Sequence, residues 1–232
     1  MMASHATTAG TSRYFSRLKP AFSPRNLGKT GFQISPVGFG GYRVSDEDPG
    51  HHEALRLALT SGCNLIDTST NYTLGGSERL VGDVLEELIA SQRIQRDEIV
   101  VVTKVGYVQG PNLEEARARQ SQGQPWPEMT EYTEDCWHCI SPELIEAQIS
   151  RSLERMELKN IDVLLLHNPE YFLKTSGDHR EYYERIRRAF AYLEKEVARG
   201  RIQFYGISSN TFPSPRQDDQ YTSLETVWAL AQ

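Results

Sequence analysis

The chain has 232 residues, a formal net charge of −6 at neutral pH and 38% hydrophobic residues, the balance of a soluble globular protein. Net acidity argues against nucleic acid as the main partner, and no apolar run approaches the roughly 18 residues that a membrane span needs. Three cysteines, with only Cys136 and Cys139 close together, argue against a disulfide scaffold and for a reducing compartment.

The N-terminus differs from the rest. No acidic residue precedes Asp46, whereas Arg13, Arg17, Lys19, Arg25 and Lys29 lie among many Ser and Thr. Residues 1–26 read as a basic, disordered tail on a cytoplasmic protein. The alternative is a segment that directs the chain to a mitochondrion or plastid.

From about Ile34 onward, strand and helix patterns alternate. Residues 36–42 form a short strand closed by Gly40-Gly41, and residues 53–60 carry Leu55, Ala58 and Leu59 at helical spacing. Residues 63–67 are a second strand, bounded in front by Ser61-Gly62 and ending on Asp67. A carboxylate there is poor core packing, because a buried charge is costly unless paired. Tyr72 follows, then Gly75-Gly76-Ser77-Glu78, a loop entering a helix over 77–90 with Ser77 as its cap.

Residues 98–104 are a continuous apolar run with a charged end at Lys104, the pattern of a strand buried on both faces. Ser141-Pro142-Glu143 starts a helix that runs to about Met156. Residues 161–166 are another buried strand, followed directly by His167. A helix over 182–198 stops at Arg199-Gly200, a strand over 201–207 leads into Ser208-Ser209-Asn210, and residues 223–231 begin one more helix.

Residues 106–140 break the rhythm. They lie between a strand and its helix and are rich in Gln, Pro and Glu, and a loop this long is usually functional or disordered. Trp126 and Trp137 would either wall a substrate pocket or pack within a surface excursion. Cys136, His138 and Cys139 suggest a zinc site. No fourth ligand is evident, however, and adjacent ligands seldom serve one tetrahedral site, so no metal is expected.

Strands that alternate with helices imply parallel pairing. No Gly-x-Gly-x-x-Gly follows the first strand, which argues against a doubly wound dinucleotide-binding sheet. The expected class is α/β, a partial (β/α)8 TIM barrel with about five of the eight strand–helix units. The barrel domain would occupy residues 27–232 with an insertion at about 106–140, and the chain is expected to be a fragment with little activity alone.

Asp67, Tyr72, Lys104 and His167 each stand at a strand end or just after one. In a parallel barrel such ends are neighbours, so the four should converge. An ammonium beside a phenol favours the phenolate, and a carboxylate keeps the ammonium charged and placed. An imidazole can hydrogen-bond a substrate oxygen. Together they would protonate a carbonyl oxygen while hydride reaches its carbon.

The segment Ile66-Asp67-Thr68-Ser69-Thr70-Asn71-Tyr72, with Val102-Thr103-Lys104 and Asp162-Val163-Leu164-Leu165-Leu166-His167, resembles the aldo-keto reductase family. Gly206-Ile207-Ser208-Ser209-Asn210 is similar to the family's nicotinamide-carboxamide segment, and Gly38-Phe39-Gly40-Gly41-Tyr42 to its opening strand and substrate-side aromatic. The resemblance implies reduction of an aldehyde or ketone by NADPH, with NAD(H) as the alternative cofactor. Tyr72 would be the general acid, Lys104 and Asp67 its activating pair, and His167 the orienter of the carbonyl. Gly41, Ser208, Ser209 and Asn210 would hold the cofactor, and Tyr42 with the two tryptophans the substrate. A non-catalytic, cofactor-binding regulatory subunit is the alternative within the same family.

Overall fold

A computed structural model describes residues 4–232. In chain order the elements are α1 (Thr8–Leu18), β1 (Arg25–Asn26), β2 (Gln33–Ile34), β3 (Phe39–Gly40), α2 (Pro49–Thr60), β4 (Leu65–Asp67), α3 (Gly76–Ala90), β5 (Val100–Val105) and β6 (Tyr107–Val108). They continue with α4 (Pro111–Ser121), β7 (Thr130–Thr133), β8 (Cys136–His138), α5 (Pro142–Arg155), β9 (Ile161–His167), α6 (Tyr171–Ser176), α7 (His179–Ala198), β10 (Ile202–Ser208) and α8 (Leu224–Leu230).

Five strands make one sheet in the order β10-β9-β5-β4-β3. The pairs β3–β4 and β4–β5 are parallel, with Gly40 opposite Asp67 and Asp67 opposite Val102. Strand, helix, parallel strand is the succession that the alternating pattern predicts, and β5 is buried at every residue. The order ends at β3 and β10, so among the described residues the sheet is open. No described helix is long and apolar enough to cross a membrane.

The chain divides into two compact units. The first comprises the chain up to Thr103 with Arg151–Leu164 and Gly200–Phe204; the second comprises Lys104–Ser150, Leu165–Arg199 and Tyr205–Gln232. Strands β5, β9 and β10 therefore begin in the first unit and finish in the second.

In the first unit the strand starts and α2 and α3 bury Leu55, Leu59, Ile66, Leu80, Leu85 and Ile99. Asn64 ties the strand starts together: its amide oxygen accepts from Ser35 N–H, and its amide nitrogen donates to the carbonyls of Gln33 and Glu98. The basic N-terminal segment, expected as a disordered tail, carries α1 instead. Residues 1–3 of that segment lie outside the described residues. Thr7 caps the helix, accepting from Gly10 N–H at 2.9 Å, and the buried Tyr14 donates to the carbonyls of Leu59 and Cys63. Arg13 and Arg17 pair with Asp97 and Glu98, so the basic charge is used locally. Gly10 is a packing necessity, since a Cβ there would come within 2.2 Å of the Asp97 carbonyl oxygen.

In the second unit, residues 106–140 are not a structureless loop. Strands β6, β8 and β7 form a three-stranded antiparallel sheet, in that order, with α4 beside it. The sequence conceals this because α4 is polar almost throughout and each strand is short. Helix α7 starts three residues earlier than its apolar spacing predicts, because Asp178 caps it by accepting from Glu181 N–H.

Candidate active site

In the first unit, β4 ends on Asp67, whose carbonyl accepts from Gly41 N–H at 2.8 Å. Gly41 must lack a side chain for a reason inside the protein: a Cβ would lie 2.4 Å from the Ser77 hydroxyl oxygen. That hydroxyl shares a 2.8 Å hydrogen bond with Thr68. Ser77 thus sits within α3 rather than capping it; the cap position belongs to Gly75, at φ 91.

Tyr72 opens the turn that enters α3, and its N–H donates to the Ser69 carbonyl. The backbone after it is strained. Thr73 and Leu74 both adopt the left-handed conformation, at φ 46 and 53. Such a conformation is rare for a β-branched residue and persists only where the surroundings enforce it. Thr73 is held by its hydroxyl, which donates to the Val44 carbonyl. The Tyr42 and Tyr72 rings meet edge to face at 5.3 Å, and Tyr42 is 66% exposed. Asp67, Tyr72 and Tyr42 thus belong to one unit, with Tyr42 directly against Tyr72.

The start of α3 is locked to β5. Buried Glu78 accepts from the Thr103 hydroxyl at 2.6 Å and from Arg155 Nε at 2.7 Å. Thr103 immediately precedes Lys104, so this network fixes the strand just before the lysine.

The second unit contains Lys104 and His167, both buried at the finishing ends of β5 and β9. Burial, then the Lys104 charge, then His138 push the His167 imidazole down to about 3, so it is neutral at physiological pH. A neutral imidazole offers one donor and one acceptor nitrogen. The Tyr107 ring stands edge to face against His167 at 4.7 Å, and its hydroxyl accepts from Asn168 Nδ2 at 2.9 Å.

The turn after β10 is joined to the end of β9. Asn168 N–H donates to the Ser208 carbonyl at 2.6 Å, and Glu170 accepts from Asn210 N–H at 2.9 Å. Burial raises the Glu170 carboxyl. Ser209 folds back on its own loop, accepting from Thr211 N–H. The Asn210 side chain is exposed, and its amide makes no hydrogen bond to the described residues.

The two tryptophans expected as a possible pocket wall pack instead into the apolar cluster of the insertion. Trp137 is buried with Val108, Leu113, Ala116, Cys139 and Leu144, and Trp126 lies against them. Guanidinium groups of Arg117 and Arg119 cover the two indoles. Burying large apolar rings against α4 is how so polar an insertion obtains a core. Cys139 is likewise internal, with Sγ donating toward the Pro127 carbonyl. His138 and Tyr107, not expected near the site, surround His167. For His138 the local signal was the short, largely apolar run Cys136-Trp137-His138-Cys139-Ile140.

A family profile described as the aldo/keto reductase family matches residues 36–217. The chain is 31% identical over 187 residues to a D-threo-aldose 1-dehydrogenase of a Pseudomonas species, covering 77% of this chain and 51% of that protein. It is 25% identical over 217 residues to an NADH-specific methylglyoxal reductase of Escherichia coli, covering 88% of this chain and 57% of that protein. Among solved structures, a holo aldo-keto reductase of Bacillus halodurans superimposes with a TM-score of 0.59 at 25% identity, over 82% of this chain and 51% of that one. The chain spans about half the length of the curated relatives it matches. With the family profile covering most of its residues, the chain belongs to the aldo/keto reductase family.

Proposed function

We propose that the protein reduces a small aldehyde or ketone, with NADPH as hydride donor and NADH as the alternative. The observation that supports this is the family match over residues 36–217, within which the four family residues each stand at a strand end or just after one. Each closes a strand of the five-stranded sheet or follows one: Asp67 ends β4, Tyr72 stands on the loop after it, Lys104 lies at the end of β5, and His167 ends β9.

The residues present fit a nicotinamide cofactor. The exposed Asn210 amide, uncommitted within the described residues, is a donor–acceptor pair complementary to a carboxamide. Ser208 and Ser209 flank it, and the Glu170 and Asn168 bonds hold its backbone in place. When bound, the cofactor supplies the hydride that the carbonyl carbon accepts.

The chain's own groups then manage the oxygen. The Tyr72 hydroxyl donates its proton to the developing alkoxide, completing the alcohol. By the family resemblance, Lys104 and Asp67 would be its activating pair. His167, neutral at working pH, orients the carbonyl oxygen by a hydrogen bond and does not compete as the acid. Tyr42, exposed and against Tyr72, would face the substrate. The Pseudomonas relative is named for an aldose and the Escherichia coli relative for methylglyoxal. Both names favour a small oxygenated carbonyl compound as substrate. Three free thiols suit a reducing compartment such as the cytoplasm.

Consumption of NADPH and NADH by the chain, with methylglyoxal and a panel of aldoses, tests the activity. Tyr72→Phe should lower kcat by about 10² and leave cofactor affinity unchanged. Unaltered turnover in that variant would remove Tyr72 from the reaction.

A further inference from the structure

The insertion at residues 106–140 does more than pack its own tryptophans. Strand β8 pairs antiparallel with β6, placing His138 opposite Tyr107 and Trp137 opposite Val108. Side chains alternate along a strand. Trp137 and Val108 therefore enter the apolar cluster of the insertion, while His138 and Tyr107 share the other face.

On that face His138 is 2% exposed, and its Nε2 lies 2.7 Å from the main-chain carbonyl oxygen of His167. A carbonyl only accepts, so His138 Nε2 carries the proton and donates. The Tyr171 ring stacks on the His138 ring at 5.6 Å and 19°, fixing its plane. Gly106 clears the way: at φ +134, a Cβ there would lie 2.8 Å from His138 Nε2.

The next residue, Asn168, is left-handed at φ 49. Its N–H and side chain are tied to Ser208 and Tyr107. The peptide leaving His167 is thus fixed on both sides, and the Tyr107 ring packs against the imidazole itself.

We propose that His138 is a positioning residue for His167: the insertion reaches the end of β9 through His138 and sets the direction in which the His167 imidazole meets a carbonyl substrate. The proposal rests on the reductase reading, yet its first test does not need turnover. A side chain that only orients another must hold it within fractions of an ångström, and misplacement by about 1 Å can cost up to about 10² in rate.

Histidine-ring 15N NMR of the 232-residue chain at neutral pH should find His138 protonated on Nε2. His138→Leu should shift the His167 ring resonances and lower kcat about tenfold, with KM for NADPH unchanged. His138→Gln, which keeps an N–H donor at similar reach, should restore both to near wild type. A proton on Nδ1 of His138, or unchanged His167 resonances and kcat in a folded His138→Leu protein, overturns the proposal. If the leucine variant does not fold, the wild-type tautomer and the glutamine variant decide. A wild-type chain that turns over no carbonyl fails the reductase reading alone, and the NMR result still decides on His138.

Discussion

Asp162 and His167 lie near opposite ends of β9 and are held in different ways. Asp162 is fully buried, and all its partners are protein groups: Arg96, the N–H of Val101, the N–H of Ala6 and the Gln203 amide. It joins the N-terminal segment to the starts of three strands, and each of its oxygens is hydrogen-bonded. His167 is nearly as buried, but its environment removes charge instead of balancing it. Burial and a nearby ammonium keep the ring neutral, and neighbouring residues fix its backbone. The contrast teaches that one buried strand can use polar residues oppositely, a carboxyl group saturated with partners at its start and an imidazole kept neutral by burial at its finish.

The sharpest way to break that contrast is Asp162→Ala. It strands the buried Arg96 guanidinium and two backbone N–H groups, and should cost about 3–5 kcal/mol by urea denaturation. A loss near zero would mean that the saturated end is dispensable.

At the other end the expected handle is pH. The ordinary value for a histidine is 6.5, whereas burial holds His138 at about 4 and His167 at about 3. The folded state keeps both neutral while the unfolded chain protonates them. Stability should be complete above about pH 6.5 and fall as pH drops toward 4, by up to about 1.4 kcal/mol per pH unit for each ring. Urea midpoints between pH 7 and 5 measure it, and His138→Gln should remove one ring's share of the slope.

Two smaller effects sharpen the comparison. Tyr14→Phe deprives the Leu59 and Cys63 carbonyls of a buried donor and should cost about 1–3 kcal/mol, showing that α1 belongs to the fold. Full stability in that variant would separate α1 from it. Leu74→Gly relieves a left-handed residue beside Tyr72 and should gain up to about 1 kcal/mol while lowering kcat. A gain in stability with full turnover would show that the strain serves no catalytic end.

Much of the framework was legible from residue order alone. Buried runs at 98–104 and 161–166, each closed by a charged or titratable residue, marked β5 and β9 because strands covered on both faces leave little room for polar side chains. The Asp67-to-Tyr72 spacing and Ser141-Pro142 were equally local signals. Other features had no local signal. Helix α1 looked like a tail because its positive charges meet Asp97 and Glu98 only after folding. Ser77 looked like a cap, yet its hydroxyl was taken by Thr68.

By itself, then, the sequence determined the alternating α/β class, the strand-end residues and the family resemblance, because periodicity and motif spacing are properties of neighbouring residues. Tertiary structure alone decided that Trp126 and Trp137 serve the insertion's core and that His138, met first as a doubtful metal ligand, donates to the backbone of His167. The physical reason is that a side chain's role follows from the partner that satisfies it, and that partner here lies 29 residues away along the chain.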